Sequence, residues 1–247
     1  MKDTRIIMGM HITVEIVAPQ VTPKILEEIF SYFIAVDKQF STYKNNSEIM
    51  RINRGEITKN NYSKEMLEIM NLAEKTKNET LGYFDIKKPN GILDPSGVVK
   101  GWAIQNAAEI LLRNGYRNFY IDAGGDIQSY GLNSEGKEWS IGIRNPFDVE
   151  NITKVLYTKG KGIATSGSYI RGQHIYNPHK PEKKLQDLVS LTVIGSNVLE
   201  ADRFATAAFA MGKDGINFIE QLPGFEGYAI DSSGIATMTS NFEIYTK

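Results

Sequence analysis

Two oxygen-bearing side chains, Asp202 and Thr206, stand four residues apart in the run Glu200-Ala-Asp-Arg-Phe-Ala-Thr206. On a helix that spacing puts both on one face, about one turn apart. A carboxylate and a hydroxyl among small residues suit a hard divalent cation such as Mg²⁺, which takes oxygen ligands and keeps places for water and substrate phosphates. Such pairs also occur on ordinary helix surfaces, so spacing alone leaves both readings open. A second group lies in Gly82-Tyr-Phe-Asp85 and Leu93-Asp94-Pro-Ser-Gly97-Val-Val-Lys100-Gly101-Trp102, a glycine-punctuated stretch with carboxylates and a lysine. Loops of this kind let backbone groups approach phosphates, and a following helix N-terminus adds partial positive charge. The order Gly-x4-Gly-Lys-Ser/Thr of a P-loop is absent, and a merely structural turn competes equally with phosphate binding.

A third cluster runs Ile163-Ala-Thr-Ser-Gly167-Ser-Tyr169 and then Gln173-His174-Ile-Tyr176-Asn177-Pro178, gathering hydroxyls, a histidine and an amide near one loop. An imidazole can serve as base or nucleophile near neutral pH, although a lone histidine is more often structural. His11 and His179 have no comparable neighbours in sequence. Asp122-Ala-Gly-Gly-Asp126 carries paired glycines that permit positive backbone angles, which fits either a ligand's close approach or a tight turn. Phe40-Ser-Thr-Tyr43, with Ser47-Glu48 and Arg51-Ile-Asn53, could line a ring-binding pocket or cap helices.

The elements that must position these groups can be read from periodicity. Residues 6–17 alternate as a half-buried strand, and Thr22-Pro23 opens an amphipathic helix to Phe40. A polar stretch, 41–53, interrupts it. Ser63 is placed to cap a second helix with Met66, Leu67, Met70 and Ala73 inward. Residues 82–101 read as a functional loop entering a helix that runs to about Arg113 and stops at Asn114-Gly115. Further strands are expected at 119–121, 139–144, 153–157 and 188–194. Ser196 would cap a helix over 198–211, and 228–230, 235–238 and 242–245 would close a meander. Strands outnumber helices, with no repeat or linker, so one compact α+β unit of mixed or antiparallel sheets with packed helices is expected over 1–247.

Composition narrows the function classes. With 41% hydrophobic and 23% charged residues, the 247-residue chain can bury a substantial core. Lys+Arg (28) nearly cancels Asp+Glu (29), so no global field draws it to nucleic acid or an anionic membrane. The absence of cysteine excludes disulfides, thiolate zinc sites and cysteine nucleophiles. Short, interrupted apolar runs and a first segment that passes directly into a strand lead to the expectation of a cytoplasmic protein without membrane insertion.

In order along the chain, these segments resemble the ApbE family of FAD:protein FMN transferases. The resemblance rests on Met8-Gly9, Phe40-Ser-Thr-Tyr43 with Ser47-Glu48 and Arg51-Ile-Asn53, Gly82-Tyr-Phe-Asp85, Asp94 to Gly101, and Gly124-Gly-Asp126. It continues through Thr165-Ser-Gly167, His174 to Pro178, and Glu200-Ala-Asp202 with Ala205-Thr206-Ala207. It implies Mg²⁺, or Mn²⁺ in its place, held by Asp202, Thr206 and the Gly97 carbonyl. It also implies FAD contacts at Met8, Tyr43, Tyr83, Phe84, Asp85, Asp94, Lys100 and the backbone near Tyr176, with His174 as base or transient nucleophile. The implied reaction moves FMN from FAD to a Thr or Ser hydroxyl of a recipient protein and releases AMP. An FAD pyrophosphatase giving FMN and AMP, or a non-catalytic FAD-binding protein, would draw on the same site. The chain departs from the family pattern in a trimmed loop, with eight residues between Asp85 and Asp94, in Asp94-Pro-Ser-Gly97 for Asp-Leu-Gly-Gly, and in Asn177 for an aspartate.

Overall fold

The computed structural model of the chain describes residues 1–168 and 175–246. Strands β1 (Lys2–Ile7) and β2 (Met10–Ile16) form an antiparallel hairpin closed by Met8 and Gly9, both at positive φ (56° and 71°). Two such residues give the turn whose twist matches paired strands. The single strand expected over 6–17 is therefore divided, because a methionine in the left-handed region carries no turn signal of its own. Beyond β2 the chain leaves the sheet for helices α1 (Pro23–Phe40), α2 (Glu48–Asn53), α3 (Lys64–Glu79) and α4 (Ser96–Arg113). It returns at β3 (Phe119–Ala123), which pairs with β2.

Strands β4 (Asp126–Tyr130), β5 (Ser140–Asn145), β6 (Asp148–Tyr157), β7 (Gly162–Gly167) and β8 (Leu188–Gly195) follow, then α5 (Val198–Ala210), α6 (Gly215–Glu220), β9 (Glu226–Asp231) and β10 (Ala236–Met238). Eight strands make one sheet in the order β1-β2-β3-β4-β7-β8-β9-β10, antiparallel throughout, while β5 and β6 pair only with each other. The expected α+β architecture is thus observed. One face of β1–β3 packs on α1 and α4 through Ile12, Val14, Ile16, Phe30, Phe33, Ala107 and Phe119, and α5 covers β7 and β8. The opposite face of the sheet meets the β5–β6 hairpin and the C-terminal segment through Ile127, Ile141, Leu156, Ile194, Tyr228 and Phe242.

Several local differences from the sequence reading have physical causes. Strand β4 carries buried polar side chains: Gln128 Oε1 accepts from the Val198 amide (2.9 Å), and Ser129 donates to Thr158 (2.6 Å), so no apolar alternation marks it. Strand β7, read as loop, is built of small residues because α5 begins against it. A Cβ on Gly162 would lie 1.9 Å from the Val198 nitrogen. Phe242–Tyr245 is a 3-10 turn and not a strand, since Phe242 and Tyr245 point inward three residues apart with Glu243 and Ile244 outside. Asn197, not Ser196, caps α5, its side chain accepting from the Glu200 amide. Ser63 caps α3 as expected, but the buried face is Met66, Ile69, Ala73 and Thr76, which leaves Leu67 exposed.

Candidate functional site

The sheet and helices converge on a cleft of about 1040 Å³, part of it open to solvent. Its walls come from the loop after α3 (Tyr83, Phe84, Asp85, Lys88), the start of α4 (Asp94, Gly97, Lys100) and the β3–β4 turn (Gly124). The end of β7 (Thr165, Ser166), the segment with Tyr176 and Pro178, and α5 (Asp202, Thr206) complete it. Residues far apart in the chain and singled out from sequence therefore meet in one place. Met8 and Tyr43 do not line the cleft: Met8 packs half-buried against the core, and Tyr43 is 95% exposed. His174 lies outside the described residues.

The floor of the cleft is a buried ionic cluster. Asp202 is 3% exposed and Asp126 0%. Lys100 Nζ lies 2.5 Å from Asp126 Oδ2 and 3.8 Å from Asp202 Oδ1. Asp126 Oδ1 also accepts from the Thr165 amide (3.2 Å), and Asp202 Oδ2 from the Gly101 amide (2.8 Å). In a regular helix the Gly101 amide faces the Gly97 carbonyl, so Asp202 is drawn to the neighbourhood of that carbonyl. Helices α4 and α5 approach this closely because residue 101 has no side chain: a Cβ there would meet Asp202 Cβ at 2.8 Å and Leu199 Cα at 3.0 Å. A Cβ on Gly97 would fall 3.3 Å from Thr206 Cγ2, which places Thr206 beside the same turn. On the far side of α5, buried Arg203 is tied to Glu79 and to Glu200 (2.6 Å), anchoring the helix to α3.

Burial pushes the Asp202 carboxyl up to about 7; Lys100 opposes the rise and Asp126 adds to it. This trio holds two carboxylates against one ammonium, and a buried charge short of a partner is costly. A cation at the cluster would supply the missing positive charge. Among the described residues no group of three or more His, Cys, Asp or Glu side chains is arranged to hold a metal. The available donors are instead one or two carboxylates, a hydroxyl and a carbonyl, which fits a hard ion that keeps open positions for water or phosphate oxygens.

Nearer the mouth, burial acts to raise Asp94, but hydrogen bonds from Lys88 (2.6 Å) and the Ser96 amide outweigh it and hold the carboxyl below its ordinary value. Asp85 pairs with Lys77 (2.7 Å). Asn53 grips this loop from behind, donating to the Leu93 carbonyl (2.9 Å) and accepting its amide (2.8 Å). Glu48 takes the Ser63 amide and hydroxyl (both 2.7 Å) and the Gln39 amide (2.8 Å), bracing α1, α2 and α3. Within that motif Ser47 caps α2, its side chain accepting the Met50 amide. The Gly124-Gly125 turn is a tight hairpin turn and a cleft wall at once: both φ values are positive, and Asp122 Oδ1 accepts the Gly125 amide (2.8 Å).

Neither Lys88 nor the Lys100–Asp126 pair is marked by spacing in the sequence. Asp126 was visible only as the end of a turn, and its partner lies on another element, so spacing could not join them. A hydrogen-bonding role for Asn177 was equally hidden; its Oδ1 accepts the His179 amide (2.9 Å), an oxygen that an aspartate would also offer.

The arrangement around this cleft, helices packed on an antiparallel sheet, is a fold shared with solved structures. The structure is similar to the flavin transferase ApbE from Vibrio cholerae, with a TM-score of 0.86 at 22% identity over 99% of this chain and 98% of that one. It is equally similar to the ApbE protein from Thermotoga maritima, with a TM-score of 0.86 at 20% identity over 100% of this chain and 99% of that one. The chain belongs to the ApbE family, whose model matches residues 8–88 and 86–229. Among curated relatives, an FAD:protein FMN transferase of Escherichia coli strain K12 is 31% identical over 161 residues, 62% of this chain and 46% of that protein. One of Klebsiella pneumoniae strain 342 is 32% identical over 155 residues, 59% and 44% respectively. These alignments span less than half the length of the curated relatives. Among the described residues no helix is long and apolar enough to cross a membrane.

Proposed function

We propose that the chain is an FAD:protein FMN transferase. The observation that carries this reading is the buried Lys100–Asp126–Asp202 cluster beneath an open cleft, in a chain of the ApbE family. Asp202, Thr206 and the Gly97 carbonyl would hold a divalent cation, Mg²⁺ or Mn²⁺, which when bound would neutralise charge on the pyrophosphate oxygens. Lys100, which lines the same cleft, would add a second positive charge near those phosphates. The aromatic faces and edges of Tyr83 and Phe84 would pack a planar ring, with Asp85, Asp94 and the Tyr176 backbone supplying polar contacts at the rim. Met8 and Tyr43 are proposed as further FAD contacts on the family pattern alone, since neither lines the cleft.

In the reaction, a Ser or Thr hydroxyl oxygen of the recipient protein bonds to the FMN-side phosphorus. The anhydride bond to the other phosphate breaks, AMP leaves, and the hydroxyl proton is lost. His174 is the residue proposed to manage that proton or to carry the phosphoryl group transiently. Supporting this assignment, the chain's family match spans residue 174. The test is denaturing-gel flavin fluorescence of a recipient incubated with this protein, FAD and Mg²⁺. A fluorescent recipient band that disappears when a chelator is added supports the reading; several recipients left dark despite bound FAD would refute it.

A further inference from the structure

Among the residues the proposed reaction leaves unused, His179 has the most specific surroundings. Helix α3 ends in a left-handed turn, with φ of +53° at Leu81 and +80° at Gly82. This turn sends the Leu81 carbonyl to His179, whose Nε2 lies 2.9 Å from it. A carbonyl only accepts, so Nε2 carries the hydrogen. The same imidazole stands edge-on to Tyr83, with ring centroids 4.6 Å apart and planes at 69°. The turn leaves little slack, since a Cβ on Gly82 would meet the imidazole Cε1 at 3.3 Å. On its own side, His179 is fixed by the Asn177 side chain, which accepts its amide, and by the Lys180 amide bonded to the Asn177 carbonyl (3.0 Å). A second, longer contact joins the same two segments, from Tyr176 Oη to the Lys87 carbonyl (3.4 Å).

We infer that His179 is a positioning residue. It clips the segment carrying Tyr176 and Pro178 to the loop carrying Tyr83 and Phe84, and so sets the aromatic wall against which a planar ring of the substrate packs. Tyr83, Phe84, Tyr176 and Pro178 all line the cleft, whereas His179, itself solvent-exposed, does not. Both halves of the clip act through the imidazole: a donor nitrogen holds the backbone, and a ring edge holds the tyrosine. The ligand in this inference rests on the proposed flavin chemistry; the clip itself does not.

The experiment separates the two. Amide hydrogen exchange is followed in residues 81–85 without FAD, in the wild type and in His179→Ala, His179→Gln and His179→Phe. Exchange in this stretch rises in the Ala variant, and Gln, which keeps an N–H donor, restores part of the protection. Phe, which keeps only ring packing, restores less. With FAD, the Ala variant raises Kd and KM roughly tenfold, the effect of about 1.4 kcal/mol, while kcat changes less than twofold. Unchanged exchange in His179→Ala overturns the clip, and so does a fall in kcat at constant KM. A wild-type protein without affinity for FAD would instead overturn the functional reading, through a measurement independent of the exchange arm.

Discussion

Replacing Asp202 with asparagine separates the carboxylate's charge from its hydrogen bond. Asparagine Oδ1 can still accept the Gly101 amide, which Asp202 Oδ2 now does at 2.8 Å. Burial raises the Asp202 carboxyl from 3.8 to about 7, so the native state holds this proton more tightly than the unfolded chain does. This group's contribution to metal-free stability therefore falls as pH rises through the interval between its ordinary and its raised value. The asparagine variant loses that slope and, without metal, is more stable than the wild type at pH 8. A cation held by Asp202 competes with the proton. At a hundred times its Kd it stabilises the wild type by about 2.7 kcal/mol, or roughly 5–10 °C for a chain of this size, at pH 8 and much less at pH 5.5. Thermal unfolding followed by circular dichroism, with EDTA or Mg²⁺ at both pH values, reads all four quantities. A wild-type Mg²⁺ response in Asp202→Asn, or metal-free wild-type stability that rises from pH 5.5 to 7, would refute the reasoning.

Gly101→Ala forces a Cβ to within 2.8 Å of Asp202 Cβ and should cost about 1–3 kcal/mol by overpacking the α4–α5 contact. Urea unfolding checks it, and a loss below about 0.5 kcal/mol would mean that the helices can part freely. Lys100→Met leaves the fully buried Asp126 without its ammonium, at a cost of about 3–5 kcal/mol. Adding Asp126→Asn should recover much of that loss in a double-mutant cycle, and strict additivity would show that the pair is not coupled. Asn53→Ala strands two backbone groups of Leu93 and should destabilise the cleft loop by about 1–3 kcal/mol. Faster amide exchange at residues 93–94 together with a raised KM is the expected result.

What the sequence made legible follows from how local each determinant is. Thr22-Pro23 and Ser63 announce helix starts because capping is decided within four residues, and both starts are observed. Strand β4 was illegible because Gln128 and Ser129 are buried through hydrogen bonds to α5 and to Thr158, partners that no local pattern reveals. The same limit governs the site. Asp202 and Thr206 could be paired by helical spacing, and the Gly97 and Lys100 loop by its glycines. The joining of Lys100 to Asp126, and of His179 to Leu81, depends on elements 26 and 98 residues apart and on the packing of the whole sheet. The Met8-Gly9 turn was missed for a smaller reason, a non-glycine residue in the left-handed region.

In the proposed reaction FMN passes to a protein hydroxyl and not to water. Intact-mass measurement of a recipient protein after incubation with this chain, FAD and Mg²⁺, alongside quantification of released AMP, tests it most directly. The expected result is a recipient heavier by one FMN less one water, with one AMP for each flavin attached and neither product in EDTA. AMP accumulating while the recipient keeps its original mass would contradict it.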